Sequence, residues 1–70
     1  MPRTNIDKVA TEYRRCNDWI RGERKEQKIS QGEMAEYLGI TQSQYSKREN
    51  GIVEWTLKEW LKALERLNSL

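Results

Sequence analysis

The 70-residue sequence has no histidine, no phenylalanine, one cysteine and one proline. The missing histidine removes the usual general base and the commonest metal ligand together. Cys16 stands alone, so it can form no disulfide within the chain, and one thiol without histidine cannot build a structural zinc site. No metal, cofactor or small-molecule ligand is expected, and a chain this short offers little depth for a catalytic cleft, so no enzyme is expected either. No apolar run approaches the roughly 18 residues of a membrane span. The opening Met1-Pro2-Arg3-Thr4-Asn5-Ile6-Asp7 lacks the apolar core of a secretory signal. The expectation is a cytoplasmic protein with no membrane partner. Cys16 falls on an apolar helical stripe, where a free thiol is expected to be buried or half-buried.

Charge is abundant but nearly balanced, with thirteen Lys/Arg against eleven Asp/Glu and a net +2. Its distribution is uneven. Residues 1–30 carry eight cations against five anions, residues 31–53 carry Lys47 and Arg48 against Glu33, Glu36 and Glu49, and residues 54–70 balance. Contact with a polyanion would therefore rest on a few placed cations and backbone amides rather than on a strong basic field. A chain of this length makes one domain, 1–70. It buries only around 60% of its unfolded surface, so pairing with a second copy is a natural source of stability.

The pattern is helical throughout. Three capping boxes, in which an N-cap Ser or Thr and the N3 Glu or Gln satisfy each other's backbone amides, start three helices. They are Ser30-Gln31-Gly32-Glu33, Thr41-Gln42-Ser43-Gln44 and Thr56-Leu57-Lys58-Glu59. The spacing predicts a first helix from near Asn5 to about Lys28, with Ile6, Val9, Ala10, Tyr13, Cys16, Trp19 and Ile20 on one stripe. Gly22 costs roughly 1 kcal/mol inside a helix, so this segment reads either as one long helix or as two shorter ones. A second helix spans Gln31 to Leu38 and stops at Gly39. A third runs from Gln42 to about Glu49 and stops at Asn50-Gly51. A fourth, from Leu57 to about Asn68, has Leu57, Trp60, Leu61, Leu64 and Leu67 as its apolar face. The fold class is all-α, a compact bundle of four helices, or five if the first one breaks. The expected core is Ile20, Ile29, Met34, Ala35, Leu38, Ile40, Tyr45, Leu57, Leu61 and Leu64. Trp60 is expected in the core, and Trp55 as an anchor for the loop before the last helix.

Residues 30–51 are the informative unit. Two short helices joined by Gly39-Ile40-Thr41 fit a helix-turn-helix, whose second helix offers its N-terminal residues to base edges in the major groove. That helix begins Gln42-Ser43-Gln44, turns Tyr45 inward, and continues Ser46-Lys47-Arg48. Glutamine can pair with adenine, serine with any base, and lysine with guanine or phosphate. Exposed faces elsewhere in the sequence are written with Glu, Lys and Arg, whereas this edge carries uncharged amides and hydroxyls. Gln42 and Gln44 could also serve only to start the helix.

Arg24, Gln27 to Gln31, Glu33-Met34-Ala35, Leu38 to Gln44 and Arg48-Glu49-Asn50-Gly51 together resemble the Cro/C1-type, lambda-repressor-like helix-turn-helix family over about residues 17–67. The resemblance implies binding to double-stranded DNA as a homodimer. It also implies a role for Gln31 at the DNA backbone or as a brace for Gln42, groove contacts from Gln42, Ser43 and Lys47, and a phosphate contact from Asn50. With Gln44 and Ser46 these make seven expected DNA-binding residues. It further implies a partly buried Arg24–Glu49 pair. The sequence departs from the family in three places. Arg48 stands where an apolar residue is usual, and the sequence stops at Leu70, before the family's usual fifth helix. Residues 1–16 extend the first helix, and Ile6, Val9, Tyr13 and Cys16 are expected to replace that fifth helix, either over the core or at a dimer interface. Arg14, Arg15, Arg21 and Lys25 read as a solvated face of this helix, with contact to phosphates as the alternative. The expected function is a sequence-specific transcriptional regulator on a palindromic operator. A protein-interaction module of the same fold, antitoxin-like or a phage accessory protein, is the alternative.

Overall fold

The computed structural model describes the backbone of residues 2–69 and the side chains of residues 13–69. Four helices follow one another: α1 Pro2–Glu26, α2 Gln31–Leu38, α3 Gln42–Glu49 and α4 Leu57–Arg66, with no strand among the described residues. All three capping boxes form, with both reciprocal hydrogen bonds present at Ser30, Thr41 and Thr56. This is why α2, α3 and α4 start where the sequence places them. The expected ends of α1 and α4 lie a residue or two too far along, because each helix closes in a C-terminal turn that sequence periodicity does not register. Ile29 N–H donates to Arg24 O and Ser69 N–H to Leu64 O, while Lys28 and Asn68 take the left-handed conformation. Gly39 and Gly51 occupy the same left-handed position after α2 and α3.

α1 is a single helix running straight through Gly22. A Cβ added at Gly22 would meet nothing within 4 Å. Gly22→Ala is therefore expected to stabilise the fold by about 0.5–1 kcal/mol, seen as a melting temperature several degrees higher in a circular-dichroism melt. An unchanged or lower melting temperature would mean that the glycine serves something other than the helix.

Ile20, Ile29, Met34, Ala35, Tyr45, Ala63 and Leu67 form the buried core, with Leu38, Ile40, Trp55 and Trp60 packed against it. α3 lies between α1 and α2, and α4 packs on α2. Trp55 anchors its loop as expected. Its ring meets Tyr45 and Trp60 edge-on, and its Nε1 donates to Asn17 Oδ1 at 2.9 Å. Ile40 is half-buried, so the turn between α2 and α3 is itself packed.

Two expectations about packing are corrected. Leu57 and Leu61, expected inside, are 74% and 41% exposed, while Ala63 and Leu67 are buried. The seam of α4 follows Trp60, Ala63 and Leu67 because the small Ala63 allows close approach to α2. At about 100° per residue this turns Leu57 and Leu61 to the edge of the interface. Cys16, expected buried or half-buried, is exposed, as is Trp19. Here the inward seam of α1 runs through Tyr13, Asn17, Ile20 and Arg24, two of which are polar, and polar residues do not register in an apolar stripe. The expectation for Ile6 and Val9 lies outside the residues whose side chains are described.

Candidate nucleic-acid interface

The position of α3 is set by one buried charge network. Glu49, 1% exposed at its C-terminal end, receives Arg24 bidentately: Nε donates to Oε2 at 2.8 Å and Nη2 to Oε1 at 3.0 Å. Tyr45 OH donates to Oε2 at 2.8 Å and Gln31 Nε2 to Oε1 at 3.1 Å. The remaining face of the Arg24 guanidinium donates to Ile29 O. Among the described residues, no buried side-chain nitrogen or oxygen lacks a partner. Burial by itself would raise the Glu49 pKa, but the bonds from Arg24, Tyr45 and Gln31 outweigh it and hold the carboxyl below its usual range. Burial, reinforced by the bond to Glu49, pushes the Tyr45 phenol well above its ordinary value.

These shifts predict how stability depends on pH. Bonds from Arg48 hold Glu59 low, and bonds from Ser30 do the same for Glu33. Carboxyls with lowered folded pKa values contribute stability above their unfolded value near 4.5 and lose it as pH falls through the folded values. The raised Tyr45 works at the other end. Its contribution is complete below about 10 and is lost as pH rises further. The melting temperature should therefore fall on both sides of a neutral plateau, and Tyr45→Phe should flatten the alkaline limb. The Tyr37 phenol, raised by its bond to Glu65, leaves a weaker limb in Tyr45→Phe; a limb as steep as that of wild type would refute the assignment to Tyr45.

A second anchor holds the other flank of α3. Arg48, at the family's usual apolar position, does not pack as an apolar residue would. Its Nε donates to Glu59 Oε1 at 2.8 Å and its Nη1 to Gln44 O at 2.9 Å. Glu59 is also the N3 residue of the capping box at Thr56, so one carboxylate starts α4 and ties it to α3. Sequence spacing held a signal for this pair in the capping-box glutamate, but nothing in it named Arg48 as the partner. Arg21, read from the sequence as part of a solvated face, is half-buried. Its Nη2 donates to Glu49 O at 3.1 Å and to Asn50 Oδ1 at 2.9 Å.

With Tyr45 and Glu49 turned inward, the helical rotation leaves Gln42, Ser43, Ser46, Lys47 and Asn50 on the outward side of α3. Gln42, Ser43, Lys47 and Asn50 are exposed and Ser46 is half-buried. The Ser46 hydroxyl accepts from Asn50 Nδ2 at 3.3 Å. The carboxamide of Gln42 lies against Gly32 in the first turn of α2. Lys47 is the α3 cation without a carboxylate partner among the described residues. The other two expected site residues are committed elsewhere. Gln44 is exposed on the flank toward Arg48, with its Oε1 accepting from Thr41 N–H, and Gln31 donates into Glu49.

Two short helices joined through Gly39-Ile40-Thr41, the second exposed along its N-terminal edge, define a helix-turn-helix domain. The helix-turn-helix family model matches residues 20–69, and the chain belongs to that family, in its Cro/C1-type form. It is thus a DNA-binding domain of the helix-turn-helix class, a family that acts on double-stranded DNA. No curated protein and no solved structure matches the chain significantly. Among the described residues no helix is long and apolar enough to cross a membrane.

Proposed function

We propose that the protein is a sequence-specific transcriptional regulator that binds a palindromic operator as a homodimer, with α3 in the major groove. The observation that carries this reading is the immobilisation of α3. Buried Glu49 and half-buried Arg48 fix both of its flanks, while Gln42, Ser43 and Lys47 remain outside with no charged partner among the described residues. A rigid element carrying neutral hydrogen-bonding groups suits base reading, because base edges are discriminated by donor and acceptor position rather than by charge. The seven site residues divide by role. Gln42, Ser43 and Lys47 read the groove, Asn50 and Ser46 meet the backbone, and Gln44 and Gln31 act mainly by fixing the helix.

The whole of residues 1–70 forms one domain in this reading, with 1–16 as a helical extension and 30–51 as the helix-turn-helix. Regulation is by occupancy in the cytoplasm, without chemistry of its own. A second copy would supply the other half-site about one helical turn away and would cover part of the apolar surface left exposed at Leu57 and Leu61. Selection from a random duplex library, followed by titration of the enriched duplex at two salt concentrations, tests the reading. One enriched half-site, bound more tightly than mixed sequence, is expected. A library that yields no enriched sequence, or no binding at low salt, overturns it in favour of a protein-interaction module.

A further inference from the structure

Where α1 crosses the end of α3, an open notch of about 300 Å³ is lined by Tyr13, Arg14, Asn17, Asn50 and Gly51. Its polar groups are almost all donors. Arg14 is exposed and has no carboxylate partner among the described residues. Asn17 is only 4% exposed, and its Oδ1 is taken by Trp55, which fixes the carboxamide so that Nδ2 lies beside Gly51. That nitrogen is the part of Asn17 left open, and it has no acceptor among the described residues. Asn50 spends its Oδ1 on Arg21 and holds Ser46 through only a long 3.3 Å bond from Nδ2, so it too has donor capacity to spare.

Among the described residues no carboxylate lines the notch. Two acids on the elements that form it are already paired among the described residues, Asp18 with Arg21 at 3.1 Å and Glu49 with Arg24 at 2.8 Å. Gly51 keeps the floor open. Its φ of +79° is one that L side chains rarely adopt, so no side chain fills the space in front of Asn17. A fixed amide donor, a second amide and a guanidinium with no carboxylate partner among the described residues, around one opening, form a receptor for a singly charged oxyanion.

We propose that this notch seats a phosphodiester of the DNA backbone flanking the half-site, so that Arg14 and Asn17 of α1 bind DNA together with Asn50. The proposal rests on the DNA-binding reading above. Arg14 and Asn17 lie before residue 20, outside the stretch matched by the family model. The extension of α1 is therefore part of the DNA-binding surface as well as of the fold. Phosphate contacts carry no sequence information and add register and salt dependence.

The test is a titration of the full chain with a labelled duplex of mixed sequence across a range of salt. Arg14→Ala should make the slope of log K against log salt shallower by about 0.9 for each bound protomer. Wild type should therefore lose about 3.5-fold more affinity than the variant for a fourfold rise in salt if one protomer binds, and about 12-fold more if a dimer does. Asn17→Asp keeps the acceptor for Trp55 but places a negative charge in the notch, and should weaken binding further than Arg14→Ala does. Melting curves of the same samples check that each variant is folded. Lys62→Ala removes an equal charge from α4, where Lys62 lies 5.9 Å over the Tyr37 ring, and should leave the slope unchanged. If Arg14→Ala keeps the wild-type slope, or Lys62→Ala loses as much, the notch is not a phosphate seat. Wild type that binds no duplex overturns the DNA-binding reading itself, and the notch with it.

Discussion

Replacing Arg24 with methionine is expected to destabilise the protein by about 3–5 kcal/mol, the cost of leaving a buried charge without its partner. Glu49 would keep Tyr45 and Gln31 as donors and the Arg21 Nε at 3.6 Å, but it would lose both bonds to the Arg24 guanidinium and with them its closest, most buried countercharge. Small domains have total stabilities near the lower end of roughly 5–15 kcal/mol. This single change therefore removes most of the margin, and the melting temperature should drop by tens of degrees. Glu49→Leu should cost a similar amount, because Arg24, Tyr45 and Gln31 then lose their common acceptor. The double variant should be more stable than either single one, since it removes both charges and leaves mainly neutral groups unpaired. A urea-denaturation cycle of the four proteins measures the coupling directly. Additive losses, or an Arg24→Met cost below about 1 kcal/mol, the range of exposed pairs, would show that the pair contributes no more than a surface ion pair. The same network holds the C-terminal end of α3 and, through Arg21, the carbonyl of Glu49 and the side chain of Asn50. Arg24→Met should accordingly weaken DNA binding even at temperatures where the variant is folded.

What the sequence discloses about this molecule, and what it hides, follow one physical distinction. Helix starts are local events. A capping box is complete within four residues, so Ser30, Thr41 and Thr56 could be read directly. The left-handed stops at Gly39 and Gly51 are local in the same sense, but those at Lys28 and Asn68 are held by backbone bonds that any residue can make. Which face of a helix turns inward is a tertiary choice. In α1 the seam passes through Asn17 and Arg24, polar residues whose burial depends on Trp55 and Glu49, 38 and 25 residues further on. Apolar periodicity therefore set the seam one residue away, at Cys16 and Trp19. In α4 the five large apolar residues were too broad a stripe to fix the rotation, and small Ala63 decided it. The candidate interface was legible because an exposed run of Gln and Ser contrasts with faces written in Glu, Lys and Arg. The commitments of Gln31 and Gln44, and the notch beside Asn50, required the three-dimensional arrangement.

Gln42 and Lys47 should fail in opposite ways when removed. Gln42 is neutral, exposed and at the first position of α3. Its proposed bidentate contact with a base is worth about 1–3 kcal/mol of discrimination. A dimer makes that contact twice, so Gln42→Ala should lower affinity for the selected duplex by roughly 30-fold or more, taking the low end of that range twice. Binding to mixed sequence should be unaffected, and the salt slope should not change, because no charge has been removed. Lys47→Ala removes the α3 cation that has no carboxylate partner among the described residues. If its partner is a phosphate, binding to all duplexes should weaken together and the slope should fall by about 0.9 per protomer. If it reads a guanine, specificity should fall as well. Gly32→Ala is the matching control. The added Cβ would stand 3.4 Å from Gln42 Oε1, an ordinary van der Waals contact that leaves the carboxamide in place. Specificity and binding to mixed sequence should both stay close to wild type. If Gln42→Ala instead weakens selected and mixed duplexes equally, Gln42 supports the helix and does not read a base, and the discrimination must lie with Ser43 and Lys47.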